Sequence, residues 1–337
     1  MKKLACLSVA VAVLAFIAGG PAPAAAQAKP IVWNLPHVAA PTYYHTINLN
    51  AFAAKVKEKS GGRMDIRVHP ASSLYPQQEI LPSLLDGRSE IGPVLSGYLT
   101  DVLLELGVLE LPFMTSSLEE HRKAQQALKP FFTAQLGKKG LKLLTAHVWP
   151  SQQVFSHQSI RTIADWKGKK IRVYGADTSN ITKTLGGVPV NIPFGELYTA
   201  LEKKTVDGAI TSATNAEPMK FFEVSKVINY WFLAGASSEW LVVNQKAWDG
   251  LAKDLQQIVL DSLKEVRFED KEWEDAKAFE ERALKRFPEI GMTVVNPSKE
   301  EIEKARNLSR AAWDTWLSRS GADGKRGMEL ALKALGR

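Results

Sequence analysis

Short apolar runs of strand length alternate with amphipathic stretches along the chain from Ile31 to about Val243. The amphipathic stretches place apolar residues at helical spacing, whereas turn residues bound the short runs. This alternation is typical of α/β layers with largely parallel sheets. The predicted strands are Ile31–Leu35, Met64–His69, Glu90–Leu95, Leu141–Val148, Lys170–Tyr174, Val206–Thr211 and Trp240–Asn244.

Helix boundaries are predicted at several points between these strands. One helix spans Ile47–Lys59, and another starts at Ser117, where Glu120 completes a capping box. Proline is unfavourable inside a helix, so we expect a bend at Pro130 and a kink or a late start around Pro82.

The pattern changes after the last predicted strand. Residues 245–286 are almost continuously compatible with a helix. A helix of that length normally connects parts of a protein, so we predict a strut that runs along two lobes. A coiled coil fits less well because the heptad pattern is irregular. A strand, Met292–Val295, and helical segments from Ser298 onward complete the prediction.

The first 28 residues have the pattern of a secretory signal peptide. Lys2 and Lys3 precede an apolar run that ends at Ala18, and an Ala-x-Ala site closes at Ala28. An uncleaved membrane anchor fits less well because the run is shorter than the ~20 residues that a span needs. We therefore expect a soluble chain that is exported and cleaved near Ala28. Cys6 is the only cysteine, so the mature chain would have no disulfide, thiolate metal site or cysteine nucleophile.

Charge and motifs exclude several classes of function. Removing Lys2 and Lys3 lowers the formal net charge from +7 to +5, and the other basic residues are mixed with acidic ones. This distribution does not predict a nucleic-acid partner. The sequence contains no dinucleotide-binding, phosphate-loop or nucleophile-elbow motif. No two of the six histidines have metal-ligand spacing on one helix, so we predict no metal, no cofactor and no catalytic residues.

Arg172 is the most informative single residue. It lies in "DWKGKKIRVYG" between two apolar residues of a predicted strand, and it shares one strand face with Tyr174. A buried guanidinium needs a partner. That partner is either an acid of this protein, with Asp207, Glu196 and Glu217 as candidates, or an anion that arrives from outside.

A series of motifs resembles the solute-binding subunit of tripartite ATP-independent periplasmic (TRAP) transporters, the DctP-type family. The first is "SGGRMDIRVHPASSLYPQQEILPSLLDGRSEIG", and the others follow in the family's order over essentially the whole mature chain. They are "LPF" at 111–113, "DWKGKKIRV" at 165–173, "LGGVPVNIPFGELYTALEKKTVDG" at 185–208, "FFEVSKVINY" at 221–230 and "VVNQKAWDGLAKDLQQIVLDS" at 242–262.

The resemblance implies a two-lobed α/β fold with a ligand cleft between the lobes and a long connecting helix. Domain I would comprise residues 29–149 and about 238–277, and domain II residues 150–237 and about 278–337. Members capture small organic acids and deliver them to a membrane permease with a small and a large subunit. We expect such a receptor, a monomer without catalytic activity. The alternatives are a secreted α/β hydrolase or lyase acting on a small acid, and a ligand-sensing input for a regulatory partner.

The resemblance also implies that Arg172 binds the ligand carboxylate. Sialate-binding members carry a second arginine on the preceding strand, where this chain has "WPSQQVFS", so sialate is not the expected ligand. Residues near the strand ends and the crossing between the lobes complete the predicted site, because open α/β sheets bind ligands there. They are Trp149, Gln152, Gln153, Tyr174, Thr211, Thr214 and Asn215, with Glu79, Tyr98, Phe113 and Trp231 as weaker candidates.

The aromatic residues in this set favour an aromatic or medium-sized monocarboxylate over a small dicarboxylate. We also expect the ligand to close the two lobes by hinge bending. The predicted hinges are at Trp149-Pro150 and Ala236–Glu239.

Overall fold

The computed structural model describes residues 29–100 and 102–337, so the predicted signal peptide lies outside the described residues. The strands are β1 (Ile31–Pro36), β2 (Met64–His69), β3 (Ile91–Leu95), β4 (Leu141–Trp149), β5 (Gln152–Ser156), β6 (Lys170–Val173), β7 (Val188–Asn191), β8 (Gly208–Ser212), β9 (Val227–Ala234), β10 (Ser237–Asn244) and β11 (Thr293–Val295). Every predicted strand is therefore present, with ends that shift by at most a few residues. The prediction missed β5, β7 and β9.

The helices fill the intervals between the strands. They are α1 (Tyr44–Lys59), α2 (Gln77–Asp86), α3 (Ser96–Leu99), α4 (Leu118–Lys138), α5 (Ala176–Thr184), α6 (Leu197–Glu202), α7 (Phe221–Val224), α8 (Gln245–Asp249), α9 (Lys253–Glu265), α10 (Phe268–Glu289) and α11 (Lys299–Leu335). Short 3-10 helices cover Leu104–Glu110, Ile163–Trp166, Phe194–Glu196 and Ala213–Asn215.

Three sheets organise the described part of the chain. The first lobe contains the parallel pair β1-β2 and the antiparallel sheet β3-β10-β4, and the second lobe contains the mixed sheet β11-β9-β5-β8-β6-β7. The prediction of largely parallel sheets is wrong, because β10 runs antiparallel to both of its neighbours and so does β5. The reason is the route of the chain: β4 and β5 carry it into the second lobe, and β9 and β10 bring it back alongside.

The predicted helix ends are mostly present. The Ser117 hydroxyl accepts a hydrogen bond from the Glu120 N–H at 3.1 Å and so caps α4. The Glu120 carboxylate accepts from the Ser116 N–H at 2.9 Å, one residue earlier than in a capping box. The helix α4 remains helical through Pro130. The helix α2 starts at Gln77, upstream of its proline, so the alternative of a late start is wrong and the kink at Pro82 stays a prediction.

The predicted continuous strut over residues 245–286 is wrong. The segment forms α8, α9 and α10, and the last break is at Arg267, whose φ of 51° lies in the left-handed region. The strut itself is α10, which packs on α1 and β4 of the first lobe and on β11 and the turn Ala213–Asn215 of the second. Helix α11 bends at Gly321 and contacts α5 as well as α4. The domain boundaries therefore stay a prediction.

Two strand crossings lie side by side between the lobes. Ser237 pairs with Trp149 on the first-lobe side, and Gln152 pairs with Ala234 on the other. Between them, Gly235 passes so close to α4 that an added Cβ would lie 2.6 Å from a backbone carbonyl oxygen. Only glycine therefore fits this crossing without displacing the backbone. No described helix is long and apolar enough to cross a membrane.

Candidate functional site

Arg172 lies on β6, between β7 and β8, and the residue is only 2% exposed. Its Nε donates to the Ile192 carbonyl at 2.9 Å, and its Nη1 donates to the Ile210 carbonyl at 3.0 Å. These backbone bonds fix the direction of the guanidinium. They do not neutralise it, because both acceptors are uncharged.

No acid within residues 29–100 and 102–337 forms an ion pair with this arginine. Asp207 accepts a hydrogen bond from the Lys170 backbone N–H at 2.7 Å, and Glu217 lies 3.4 Å from an arginine of α10. Glu196 is exposed at the start of α6. The internal ion pair that the sequence left open for Arg172 is therefore wrong. Its charge has no partner of opposite sign in the described chain.

A cavity opens in front of the guanidinium, at the junction of the two lobes. It contains about 410 Å³ of free space, its opening to solvent included. The wall combines four aromatic rings, two aliphatic side chains, three amides and three serine or threonine side chains around the one arginine. These residues are Val38, Gln77, Leu95, Tyr98, Trp149, Gln152, Arg172, Tyr174, Phe194, Thr211, Ser212, Asn215 and Ser237.

The electrostatics of this wall are simple. Arg172 is the one member of the described wall that carries a charge at neutral pH. Burial lowers the pKa of Arg172, but a guanidinium remains protonated in proteins. It lies 5.4 Å from the centre of the Tyr174 ring, and Tyr98 stacks on Tyr174 at 6.3 Å. The cavity therefore presents one positive charge above aromatic surface.

Two acids lie just behind the wall, and burial keeps them from cancelling that charge. The Trp149 indole donates to Glu239 at 2.9 Å, and the Ser237 hydroxyl donates to Glu110 at 2.6 Å. Burial raises the pKa of each of these two carboxyls to about 8. Both are therefore mainly protonated and neutral at pH 7, which leaves the positive charge of Arg172 uncompensated.

Seven of the twelve predicted site residues line the cavity together. They come from four places in the fold: the α3 region, the crossing between the lobes, β6 and the end of β8. They are Tyr98, Trp149, Gln152, Arg172, Tyr174, Thr211 and Asn215. Their contact with a ligand stays a prediction.

Three predicted polar residues lie off the wall. Gln153 follows Gln152 directly, so its side chain faces the other side of β5. There its side-chain amide oxygen, Oε1, accepts a hydrogen bond from the Phe232 N–H at 3.0 Å. Thr214 bonds to the hydroxyl of Tyr43 instead. Glu79 lies on the surface of α2, with its side chain 48% exposed. These positions do not support direct contact with a ligand in this cavity.

Two predicted aromatic residues belong to the core of the second lobe. Trp231 donates from its indole to the Ile160 carbonyl at 2.9 Å and packs edge-on against Trp166. Phe113 is 3% exposed and belongs to the same cluster. Burial among apolar side chains, not access to the cleft, explains both positions.

Six residues of the wall were not predicted. They are Val38, Gln77, Leu95, Phe194, Ser212 and Ser237. Two of them fall within stretches that the sequence analysis had named. Phe194 belongs to the motif at 185–208, and Ser237 belongs to the predicted hinge Ala236–Glu239. Val38 and Leu95 carried no such mark, because an aliphatic side chain has the same pattern in a cavity wall and in a core.

Contacts between the lobes surround the cavity. The hydroxyl groups of Tyr43 in the first lobe and Thr214 in the second are 2.5 Å apart, and the Tyr43 ring stacks on Trp149 at 5.2 Å. Beside the wall residues Tyr98 and Tyr174, a Cβ added to Gly175 would lie 2.7 Å from the carbonyl oxygen of Gly97. The lobes therefore meet backbone to backbone at one point near the cavity and through a hydrogen bond at another.

Two lobes joined by crossing strands, with a cavity at their junction, define a periplasmic solute-binding protein. The chain belongs to the DctP family: the model of bacterial extracellular solute-binding protein family 7 matches residues 35–319. The predictions of a DctP-type TRAP receptor and of its two-lobed α/β fold with a long connecting helix are confirmed.

Three similar proteins illustrate the match. The C4-dicarboxylate-binding periplasmic protein DctP of Rhodobacter capsulatus is 27% identical over 303 residues, which cover 87% of this chain and 86% of the relative. The structure of DctP6, a pyroglutamic acid-binding extracytoplasmic solute receptor of Bordetella pertussis, has a TM-score of 0.84 at 27% identity and covers 90% and 99% of the two chains. A marine metagenome TRAP solute-binding protein specific for pyroglutamate has a TM-score of 0.84 at 25% identity, with the same coverage, 90% and 99%.

Proposed function

We propose that this receptor binds a compact monocarboxylate in the cleft, and that Arg172 holds the carboxylate. The observation that carries the proposal is a buried guanidinium with no internal acid and with a cavity in front of it. Its Nε and Nη1 are held by backbone carbonyls, and its Nη2 makes no hydrogen bond to another described residue. The planar fork is thus fixed in orientation before a ligand arrives.

The charge balance favours a ligand with a single negative charge. Arg172 is the one cation of the described wall, and its charge would be balanced by one carboxylate. A second carboxylate would be enclosed by aromatic and amide side chains without a cation, and burying an unpaired ion costs several kcal/mol. A dicarboxylate should therefore bind much more weakly than a monocarboxylate of similar size.

The rest of the wall favours a small ring or short body with neutral hydrogen-bonding groups. The rings of Tyr98, Tyr174 and Trp149 offer flat apolar surface. The amides of Gln77, Gln152 and Asn215 can each donate to a carbonyl or accept from an N–H. Pyroglutamate, the ligand of two of the similar structures, has such a composition: one carboxylate and one ring amide.

The family membership supports the remaining parts of the proposal. The receptor would be exported after cleavage near Ala28 and would deliver its ligand unchanged to a TRAP permease with a small and a large membrane subunit. We propose a monomer that does not bind nucleic acid, with the domain boundaries of the sequence analysis. The membership in a family of solute-binding receptors supports a role without catalysis.

Ligand capture would close the lobes by rotation at the two strand crossings. The crossings lie side by side and α10 spans both lobes, which permits bending and limits sliding. Small-angle scattering is expected to show a smaller radius of gyration with saturating ligand. An unchanged profile would contradict hinge closure but not ligand binding.

A binding screen tests the proposed ligand class. The mature protein is unfolded and refolded to remove carried-over ligand, and its melting temperature is measured with pyroglutamate, short hydroxy and keto monocarboxylates, succinate and the amide of pyroglutamate. A monocarboxylate at ~100 times its dissociation constant should add about 2.7 kcal/mol of stability, whereas the uncharged amide should add none. Binding of succinate in preference to every monocarboxylate would overturn the single-charge proposal. Recovery of a chemically altered ligand would overturn the role without catalysis.

A further inference from the structure

A cluster of ionisable side chains lies in the first lobe, next to Trp149 of the cavity wall. It consists of His45 on α1, His147 on β4 and Glu272 on α10, and all three side chains are 0% exposed. His45 Nδ1 contacts Glu272 Oε2, and His147 Nδ1 lies 3.6 Å from the same oxygen. One potential ligand atom from each residue lies within 4.8 Å of the others. We call these three residues the histidine–glutamate cluster.

Several nitrogen atoms of this region have no hydrogen-bond partner within the described chain. They are both ring nitrogens of His147 and Nε2 of His45. Both ring nitrogens of His37, whose ring centre is 5.9 Å from that of His45, are also without partners. A buried polar group without a partner costs about 1–3 kcal/mol, so five such atoms in one place are unusual.

The three elements converge on this point from distant parts of the sequence. Asn48, one turn after His45 on α1, donates to Glu272 Oε1 at 2.8 Å. The same amide donates to Asp275 on α10 at 3.0 Å, and the Asp275 side chain is 24% exposed. Asn48 thus holds the carboxylate in place, and Asp275 connects the cluster to the surface.

We propose that His45, His147 and Glu272 bind one divalent transition-metal ion, with zinc as the best match. Two imidazoles and one carboxylate are ligands that zinc accepts, and a water molecule would take the fourth position of a tetrahedral site. With bonds of about 2.0 Å, tetrahedral ligand atoms lie roughly 3.3 Å apart. The separation of 3.6 Å between His147 and Glu272 is close to that value. His45 Nδ1 and Glu272 Oε2 are closer together than that, so these two side chains would move apart to admit the ion.

The ion would offset the cost of burying a carboxylate and imidazole nitrogens that have no hydrogen-bond partner in the described chain. All three side chains are enclosed by protein, where an ionised carboxylate without a counter-charge is costly. A divalent cation stabilises the ionised carboxylate and takes up lone pairs of the neutral imidazoles. Asn48 then acts as an outer-shell group that orients Glu272.

The proposed site supports the structure around the cavity and takes no part in ligand chemistry. It would tie α10, the helix that spans both lobes, to α1 and β4 of the first lobe. The ring of His45 packs on Trp149 at 4.4 Å, so the ion would also stabilise one wall of the cavity. The proposal does not depend on the identity of the ligand.

Metal analysis of the whole mature protein tests the proposal. Chelator-treated protein is loaded with zinc chloride, desalted, and analysed by elemental mass spectrometry and zinc-edge X-ray absorption. We expect about one zinc per chain with imidazole scattering, and a higher melting temperature than for the chelated protein. His147→Gln and Glu272→Gln should each lower zinc affinity by more than the ~10–100-fold that is typical of an outer-shell change.

Two control variants separate this site from surface binding and from general destabilisation. His121 is also buried, but its nitrogens face Thr115 at 3.1 Å and Ser238 at 2.8 Å. His69 lies at the edge of the first lobe, where it bonds to Asn34. His121→Gln and His69→Gln should retain zinc. A wild-type protein that retains no zinc, or a zinc spectrum without imidazole, overturns the proposal even if the cluster variants do not fold. Equal zinc content in folded His147→Gln and wild type also overturns it.

Discussion

The ligand cavity and the histidine–glutamate cluster both adjoin Trp149, but they differ in whether their ionisable side chains carry a charge. In the cavity, Arg172 remains charged, is held by two backbone carbonyls and faces open space. In the histidine–glutamate cluster, acid and base are in contact, and burial shifts their pKa values toward the uncharged forms. A permanent charge without a partner is costly, and this cost is the reason why we propose that an anion binds in the cavity. The cluster instead consists of the three proposed metal ligands, which the fold brings together.

The largest expected effect is on ligand binding when Arg172 is removed. In Arg172→Ala the ligand carboxylate is buried without its cation, which should cost about 2–5 kcal/mol, a loss of roughly thirty-fold to several thousand-fold in affinity. Arg172→Lys should also bind weakly, because an ammonium cannot make two parallel hydrogen bonds. Isothermal titration calorimetry measures both. The melting temperature without ligand should change little, since the two lost hydrogen bonds are offset by removal of an unpaired buried charge. If Arg172→Ala bound the ligand as tightly as the wild type, Arg172 would not be the residue that holds the carboxylate.

The opposite behaviour is expected in the histidine–glutamate cluster, where a substitution should change stability more than ligand affinity. Glu272→Ala removes the acceptor of His45 and Asn48 and leaves buried donors without partners, at about 1–3 kcal/mol for each. Chemical denaturation should therefore show a clear loss of unfolding free energy without ligand. Affinity for the ligand should fall far less than in Arg172→Ala. A variant of unchanged stability would mean that the cluster contributes no net interaction.

A smaller effect is expected at the hydrogen bond that joins the lobes. Tyr43→Phe removes the bond to Thr214, and a net loss of about 0.5–1.5 kcal/mol corresponds to roughly two- to ten-fold in affinity if that bond forms on closure. Tyr44→Phe is the matched control, because the Tyr44 hydroxyl donates to the Val148 carbonyl at 2.6 Å inside the first lobe. The control should lower stability in both states and leave affinity nearly unchanged. Equal losses of affinity in the two variants would argue against a role in closure.

The smallest expected effect is a pH dependence from Glu110. Its pKa of about 8 lies above the usual 4.5 because the carboxyl is buried, with Asp177 as a further cause. Its contribution to stability is therefore complete below about pH 4.5 and is lost as the pH rises through about 8. The same ionisation places a negative charge beside Ser237 in the wall, so affinity for an anion should fall by a few-fold above pH 8. Glu110→Gln should flatten this profile in titrations from pH 6 to 9, while Glu239 retains its own contribution.

Local patterns in the sequence were sufficient for much of the fold and for the centre of the site. The alternation of apolar runs identified the main strands, and the flanks of Arg172 placed it on a strand that ends just before Tyr174. Two of the three missed strands, β5 and β9, lie where the chain crosses between lobes, whereas β7 is a short strand at the edge of its sheet. Strands β5 and β9 are buried on both faces and show no alternation. The long strut failed because Arg267 in a left-handed conformation breaks a pattern that is otherwise compatible with a helix.

The sequence by itself determined which residues could be charged, where eight of the eleven described strands lie, and that Arg172 needed a partner. These properties depend on near neighbours along the chain, and near neighbours are visible in a sequence. Only the tertiary structure decided that this partner is not an internal acid, that Phe113 and Trp231 lie in the core, and that Glu110 lies behind the wall. It also decided that His45, His147 and Glu272 meet, although they come from a helix, a strand and another helix far apart in the chain. Such convergence depends on how sheets and helices pack, and spacing along the sequence does not contain that information.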